Sequence, residues 1–249
     1  MKINIPATIL TVSYNAEATI ARTIESVMKQ THRIIDYIVI DGASTDGTAK
    51  IAESYIEKFN AVQGRHMRVI SEPDKGMYDA LNKGARLAEG VIVGQINADD
   101  WYEPYAVQTM AELYENSRYD LAWGSVRVIT KNGKSFIKHA KRGILWTTSH
   151  WCHPAAFAAR GILLEYPYPL VNSHDDFDFA THVYLDGKRI IPIDKVISNF
   201  TFGGMSTQRS IKEAKKRLDE IYGIYKKYGM SKLYYLHRLA FETVKYFLT

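Results

Sequence analysis

Two periods of hydrophobic and polar residues alternate along the first hundred positions. Ile5 to Val12 is an apolar run interrupted only by Thr8 and Thr11, the pattern of a strand covered on both faces. Asn15 is placed to cap a helix with apolar positions Ile20, Ile24, Val27 and Met28, spaced for one buried stripe. "YIVID" (37–41) reads as a second buried strand. Asp46 can cap the helix after it, which carries Ile51, Tyr55 and Phe59. "RVIS" (68–71) is a third strand, Met77 to Ala88 a helix, and "VIVGQI" (91–96) a fourth strand. Pro104 suits the first residue of a helix running to about Glu115. Repeated strand–helix units predict a parallel, doubly wound α/β sheet with right-handed connections.

After Leu121 the pattern changes. "LAWGSVRVI" and "SFIKH" flank "KNGK", which predicts a hairpin. An irregular stretch with Pro154, Pro167 and Pro169 precedes a helix from Asp175 to Leu185 and two short strands, 189–193 and 196–201. Two amphipathic helices close the chain. One has Ile211, Ala214, Leu218, Ile221 and Tyr225 on a face, the other Leu233, Leu236, Ala240, Val244 and Phe247. The expected organisation is one catalytic-sized domain over 1–204, in halves of about 1–105 and 106–204, with a helical extension over 205–249.

Composition adds little to the fold but something to the setting. The 249 residues are 46% hydrophobic and 24% charged, enough for one large core. The single cysteine, Cys152, excludes an internal disulfide and cysteine-rich zinc sites, and fits a reducing cytoplasm. No stretch reaches the roughly 18 uncharged apolar residues of a spanning helix, and "MKINIPATILTV" reads as a strand rather than a signal peptide. Charge is uneven. Ten Lys or Arg against four Asp or Glu give +6 between Gly203 and Thr249, against +5 for the whole chain. A basic tail suggests an anionic partner surface, membrane or nucleic acid.

Ligands of open α/β sheets bind beyond the carboxyl ends of the strands. The segments there are "SYN" (13–15), "DGASTDGT" (41–48), "EPDKGMYDA" (72–80) and "NADD" (97–100), all polar. No GxGxxG follows the first strand and no GxxxxGK[ST] occurs, so neither a dinucleotide fingerprint nor a P-loop is present. Asp99 and Asp100 are adjacent carboxylates that resist joint ionisation unless a cation lies between them. Hard divalent cations bind through one or two carboxylates plus substrate phosphates. The pair is therefore a candidate Mg²⁺ or Mn²⁺ site completed by a diphosphate.

"TVSYNAEATIARTIESVMKQT", "YIVIDGASTDGT", "EPDKGMYDALNKGARLAEG" and "INADD" occur in the order and spacing of family 2 glycosyltransferases, which have the GT-A fold. The resemblance is strong over about residues 5–105 and thinner at "HPAAF" (153–157) and "HDDFDF" (174–179). It implies a GT-A, Rossmann-like, mainly parallel sheet flanked by helices. It also implies an inverting transfer from a nucleoside-diphosphate sugar, a UDP-sugar favoured, to a glycan or lipid-linked acceptor in cell-surface polysaccharide or glycolipid synthesis. By position, Val12, Tyr14 and Asn15 would lie at the base, with Asp41 accepting a hydrogen bond from it. Lys75 and Asp79 would contact the donor. Asp99 and Asp100 would stand at the metal. Asn97, where an Asp is more usual, would touch ribose or sugar. Asp176 would be the general base, with Asp175 as its alternative, and His153 would lie on the acceptor side.

The resemblance favours a membrane surface over nucleic acid as the tail's partner, hence a cytoplasmic protein with peripheral contact at the inner face of the membrane. Two other readings compete. "IVIDGASTDGT" superficially resembles the nucleophile loop of haloacid-dehalogenase phosphatases, although Gly42 and Ala43 displace its second Asp. A nucleotide-sugar-binding protein without catalysis is the other, and Asn97 leans that way.

Overall fold

The computed structural model describes residues 4–130, 132–141, 148, 150–201 and 211–248, without the side chains of 211 and 241–248. In chain order the first half comprises β1 (Ala7–Ser13), α1 (Ile20–Met28), β2 (Ile35–Asp41), α2 (Thr48–Glu53), α3 (Ile56–Asn60), β3 (Arg65–Ser71), α4 (Met77–Leu87) and β4 (Ile92–Asn97). The second half adds β5 (Trp101–Tyr102), α5 (Ala106–Ser117), β6 (Leu121–Ile129), β7 (Ser135–Lys138), a 3-10 turn (His153–Ala155), β8 (Ala156–Ala159), α6 (Arg160–Glu165), α7 (Asp175–Leu185) and β9 (Ile190–Thr201). The chain closes with α8 (Ile211–Lys227) and α9 (Lys232–Leu248).

Among the described residues the strands form one sheet in the order β3-β2-β1-β4-β8-β6-β9-β5, with β7 beside β6. The β3-β2-β1-β4 half is parallel. β8 joins β4 and β6 antiparallel, while β6 and β9 run parallel. The sheet is thus mixed, with most of its paired residues in parallel ladders. Every residue of β1 is buried, as a central strand covered on both faces requires. Its Ile9 and Leu10 share one hydrophobic core with Ile20, Ile24 and Val27 of α1, Leu81 and Ala85 of α4, Phe157 of β8 and Phe177 of α7. Burying each large side chain contributes roughly 1.5–3 kcal/mol.

The structure departs from the sequence pattern in several elements. The helix carrying Ile51, Tyr55 and Phe59 is broken into α2 and α3. Asn15 does not cap α1, whose cap position is Thr19. Asn15 instead sits at φ 48°, a left-handed conformation that asparagine tolerates better than most residues. Its side-chain oxygen accepts from Thr45 N–H at 2.9 Å. The two strands expected over 189–201 are one twelve-residue strand, β9, whose register against β6 slips around Ser125. Gly124 makes that slip possible, since a Cβ there would lie 2.1 Å from Ile197 Cγ1. The helical extension shares the core of the domain before it. Ile221, Ile224 and Tyr225 of α8 belong to the common cluster.

Candidate active site

The parallel register brings the polar strand ends together. Ser13 pairs with Asp41, Asp41 with Ser71, and Val12 with Asn97. Asp41 is wholly buried there. Its Oδ1 accepts from Ser13 Oγ at 3.0 Å and Ser44 Oγ at 2.5 Å, and its Oδ2 from Ser44 N–H at 2.9 Å and Ser71 Oγ at 2.7 Å. One carboxylate therefore ties together the ends of β1, β2 and β3. A residue so enclosed is not presented as a nucleophile, which removes the support for a phosphatase. Val12 is buried beside it, whereas Tyr14 is 65% exposed at the rim, with Asn15 exposed next to it.

At the end of β4, Asp99 is half-buried and Asp100 fully buried. Burial pushes the Asp99 carboxyl upward. Burial, and then the neighbouring Asp99, raise Asp100 well above the usual carboxylate range. Asp100 Oδ1 accepts from Thr201 N–H at 3.1 Å, while its Oδ2 and Asn97 Oδ1 are buried oxygens with no donor among the described residues. The backbone here is held from outside. Arg22 stacks 4.0 Å over Trp101 and donates to the Asp99 carbonyl at 2.7 Å, and Thr23 Oγ1 donates to the Asp100 carbonyl at 2.6 Å. Undercompensated buried oxygens fit a hard cation, which would keep both carboxyls ionised. No group of three or more His, Cys, Asp or Glu that could hold a metal occurs among the described residues, so a cation at Asp99 and Asp100 would need oxygens from a ligand.

α4 carries the third part. Asp79 Oδ2 accepts from Lys75 N–H at 3.0 Å, folding back the loop before the helix, and Lys75 itself is exposed. Gly76 adopts φ 106° in that turn, a backbone conformation suited to glycine. One residue short of Asp79, Tyr78 O–H lies 2.9 Å from Asp176 Oδ1 and 3.1 Å from the Ser173 carbonyl.

The neighbouring carboxylates at the start of α7 have separate surroundings. Asp175 is fully buried and accepts from Val171 N–H at 2.9 Å and Asn172 N–H at 3.0 Å. Asp176 is half-buried, and Trp151 Nε1–H donates to its Oδ2 at 2.8 Å. The alternatives left open at 175 and 176 thus have different geometry. Asp175 holds a loop, whereas Asp176 is partly exposed and held by side chains from α4 and from the segment before the 3-10 turn.

His153 has Nε2 3.0 Å from Gln95 Oε1, and Tyr168 O–H donates to the same oxygen at 2.6 Å. Burial holds the His153 ring below the usual histidine range, partly opposed by the Asp176 charge. The ring is buried. The sequence reading did not single out Arg22, Thr23, Tyr78, Trp151 or Thr201. Tyr78 and Trp151 stand inside or beside the quoted motifs, and that position was the available signal.

Comparison with known proteins supports the fold and the family. The PGL/p-HBAD biosynthesis glycosyltransferase of Mycobacterium bovis is 29% identical over 218 residues, covering 82% of this chain and 80% of that protein. The chain spans only 52% of a Nostoc glycosyltransferase and 16% of the chondroitin synthase of Escherichia coli, two further relatives. Among solved structures, S. aureus TarS in complex with UDP-GlcNAc superposes with TM-score 0.66 at 19% identity, over 97% of this chain and 72% of that one. The mannosyltransferase PcManGT of Pyrobaculum calidifontis, in complex with GDP-Man and Mn²⁺, gives 0.71 at 18% identity, over 96% and 70%. These likenesses establish the GT-A architecture. The sequence model of glycosyl transferase family 2 matches residues 8–164, and the chain belongs to that family.

Proposed function

We propose that the protein moves a sugar from a nucleoside-diphosphate sugar to an acceptor hydroxyl with inversion at the anomeric carbon. The observation that carries this reading is the arrangement of two undercompensated buried oxygens, Asn97 Oδ1 and Asp100 Oδ2, at the strand edge of a fold that also presents Asp176. Tyr14 and Asn15 would take the base, with Val12 behind them, and Lys75 and Asp79 the donor phosphates or sugar. A base contact at Asp41 requires Ser44 to release one oxygen. Asn97 remains an oxygen acceptor suited to a ribose or sugar hydroxyl. Asp99 and Asp100 would hold Mg²⁺ or Mn²⁺, which supplies charge neutralisation for the departing diphosphate. Asp176 takes the proton of the acceptor hydroxyl as its oxygen attacks. Solved neighbours hold UDP-GlcNAc and GDP-Man, and a UDP-sugar is our preferred donor. A thermal-shift panel of nucleoside diphosphates tests this. UDP with Mn²⁺ should raise the melting temperature more than either alone, and a panel in which no diphosphate responds to Mn²⁺ would remove the basis for the proposal.

The acceptor we favour is a lipid-linked glycan, reached from a membrane surface. No helix among the described residues is long and apolar enough to cross a membrane. On α8, Leu218, Ile221 and Tyr225 pack inward, but α9 turns Leu233 and Leu236 outward at 70% and 56% exposure. Lys226 and Lys232 are exposed nearby. Apolar side chains beside basic ones suit an anionic bilayer, where each basic residue contributes about 1 kcal/mol. The protein should sediment with anionic vesicles at low salt, and Leu233→Glu with Leu236→Glu should weaken that binding. Wild-type protein left in the supernatant under those conditions rules the contact out.

A further inference from the structure

We propose that Tyr78 and Trp151 are positioning residues for Asp176, fixing its carboxylate from two different parts of the fold; this rests on the reading of Asp176 as the general base. Tyr78 comes from α4, directly after the donor-side turn, and reaches Asp176 Oδ1 at 2.9 Å. Trp151 precedes the 3-10 turn and reaches Oδ2 at 2.8 Å. Each oxygen therefore has one neutral donor, the Tyr78 proton being nearer to Asp176 Oδ1 than to the Ser173 carbonyl at 3.1 Å, and each keeps further acceptor capacity. With both oxygens anchored, the plane of the carboxylate is set and its remaining lone pairs are left for an acceptor hydroxyl. A base on the first turn of a helix, free to rotate about its side-chain bonds, would lack that orientation.

The two donors are themselves locked. Tyr78 is 8% exposed, with its ring 5.2 Å from that of Tyr168, and Trp151 is 3% exposed, meeting Trp123 edge-on at 5.2 Å.

The neighbouring charged groups are engaged elsewhere. On α7 and its cap, Asp175 is bonded to the 171–172 amides and His174 to Glu220 of α8. Asp178 is paired with Lys227 and Tyr228. Among the described residues no cation is paired with Asp176, and its side-chain donors are Tyr78 and Trp151.

The test is the split between kcat and donor KM in Tyr78→Phe and Trp151→Phe, with Asp176→Asn as reference and melting temperatures measured for all. Tyr78→Phe deletes one oxygen and should fold. Each single variant should lower kcat on the order of tenfold, since a loosened base loses its attack geometry. The KM for the donor should stay within about twofold, since a base acts in the transition state. If Asp176→Asn is inactive while Tyr78→Phe has the wild-type kcat, the positioning role is wrong and the base reading stands. If Asp176→Asn keeps wild-type turnover, the base reading fails and the positioning role falls with it. Should Trp151→Phe not fold, Tyr78→Phe decides the matter alone.

Discussion

Asp176→Asn is expected to lower transfer by about 10²–10⁴-fold, the usual contribution of a positioned base, while donor affinity stays near the wild-type value. Asn is close to the same size, can still accept from Trp151 or Tyr78 through its single oxygen, and cannot take a proton. The loss should thus appear in kcat and not in nucleotide binding. Asp175→Asn is the informative partner. Its carboxylate accepts two backbone amides of the 171–172 loop, so its replacement should cost stability first and turnover through loop displacement. Turnover lost in Asp175→Asn with a full-strength Asp176→Asn enzyme would move the base by one residue. The measurement is steady-state transfer with saturating donor, alongside calorimetric binding of the nucleoside diphosphate.

The second large effect is on stability. Asp41→Ala removes an acceptor used by Ser13, Ser44 and Ser71 side chains and by Ser44 N–H. Buried donors left without a partner cost about 1–3 kcal/mol each where water cannot reach them. Some of these groups lie near the rim and can be rehydrated, so the net expectation is a loss of about 3 kcal/mol. For a chain of this size that corresponds to roughly 6–12 °C in melting temperature. Differential scanning calorimetry without ligand reads it. A melting temperature within about 2 °C of wild type would mean that the strand ends do not depend on this carboxylate.

Much of this arrangement was legible in the sequence, and the exceptions have physical causes. The parallel β1–β4 half was legible because strands buried on both faces must be apolar throughout and their exits polar. α7 was legible to the residue, from Asp175 to Leu185, because three acids in its first turn suit the helix dipole. β9 was misread as two strands because Pro192 and the Asp194–Lys195 pair look like a break. Pro192 pairs with Trp123 close to the register slip, where a missing N–H is tolerated. β8, with its sequence AFAA, and the two-residue β5 were invisible, since runs that short carry no period. In the site, residues at strand ends were readable from position. Arg22, Thr23 and Thr201 were not, because their part is set by contacts 77 to 179 residues apart in the chain. Asp41 was expected as a ligand contact from its place at a strand tip, a place that equally suits the clasp the structure shows.

The central claim is that the β1–β4 edge binds a nucleoside diphosphate through a divalent cation held at Asp99 and Asp100. Calorimetric titration of UDP into the wild-type protein, once in Mn²⁺ and once in EDTA, tests it most directly. We expect binding in Mn²⁺ that weakens at least about tenfold in EDTA, a difference of about 1.4 kcal/mol, and a similar weakening in Asp99→Ala with Mn²⁺ present. Equal affinity in Mn²⁺ and EDTA would contradict the account.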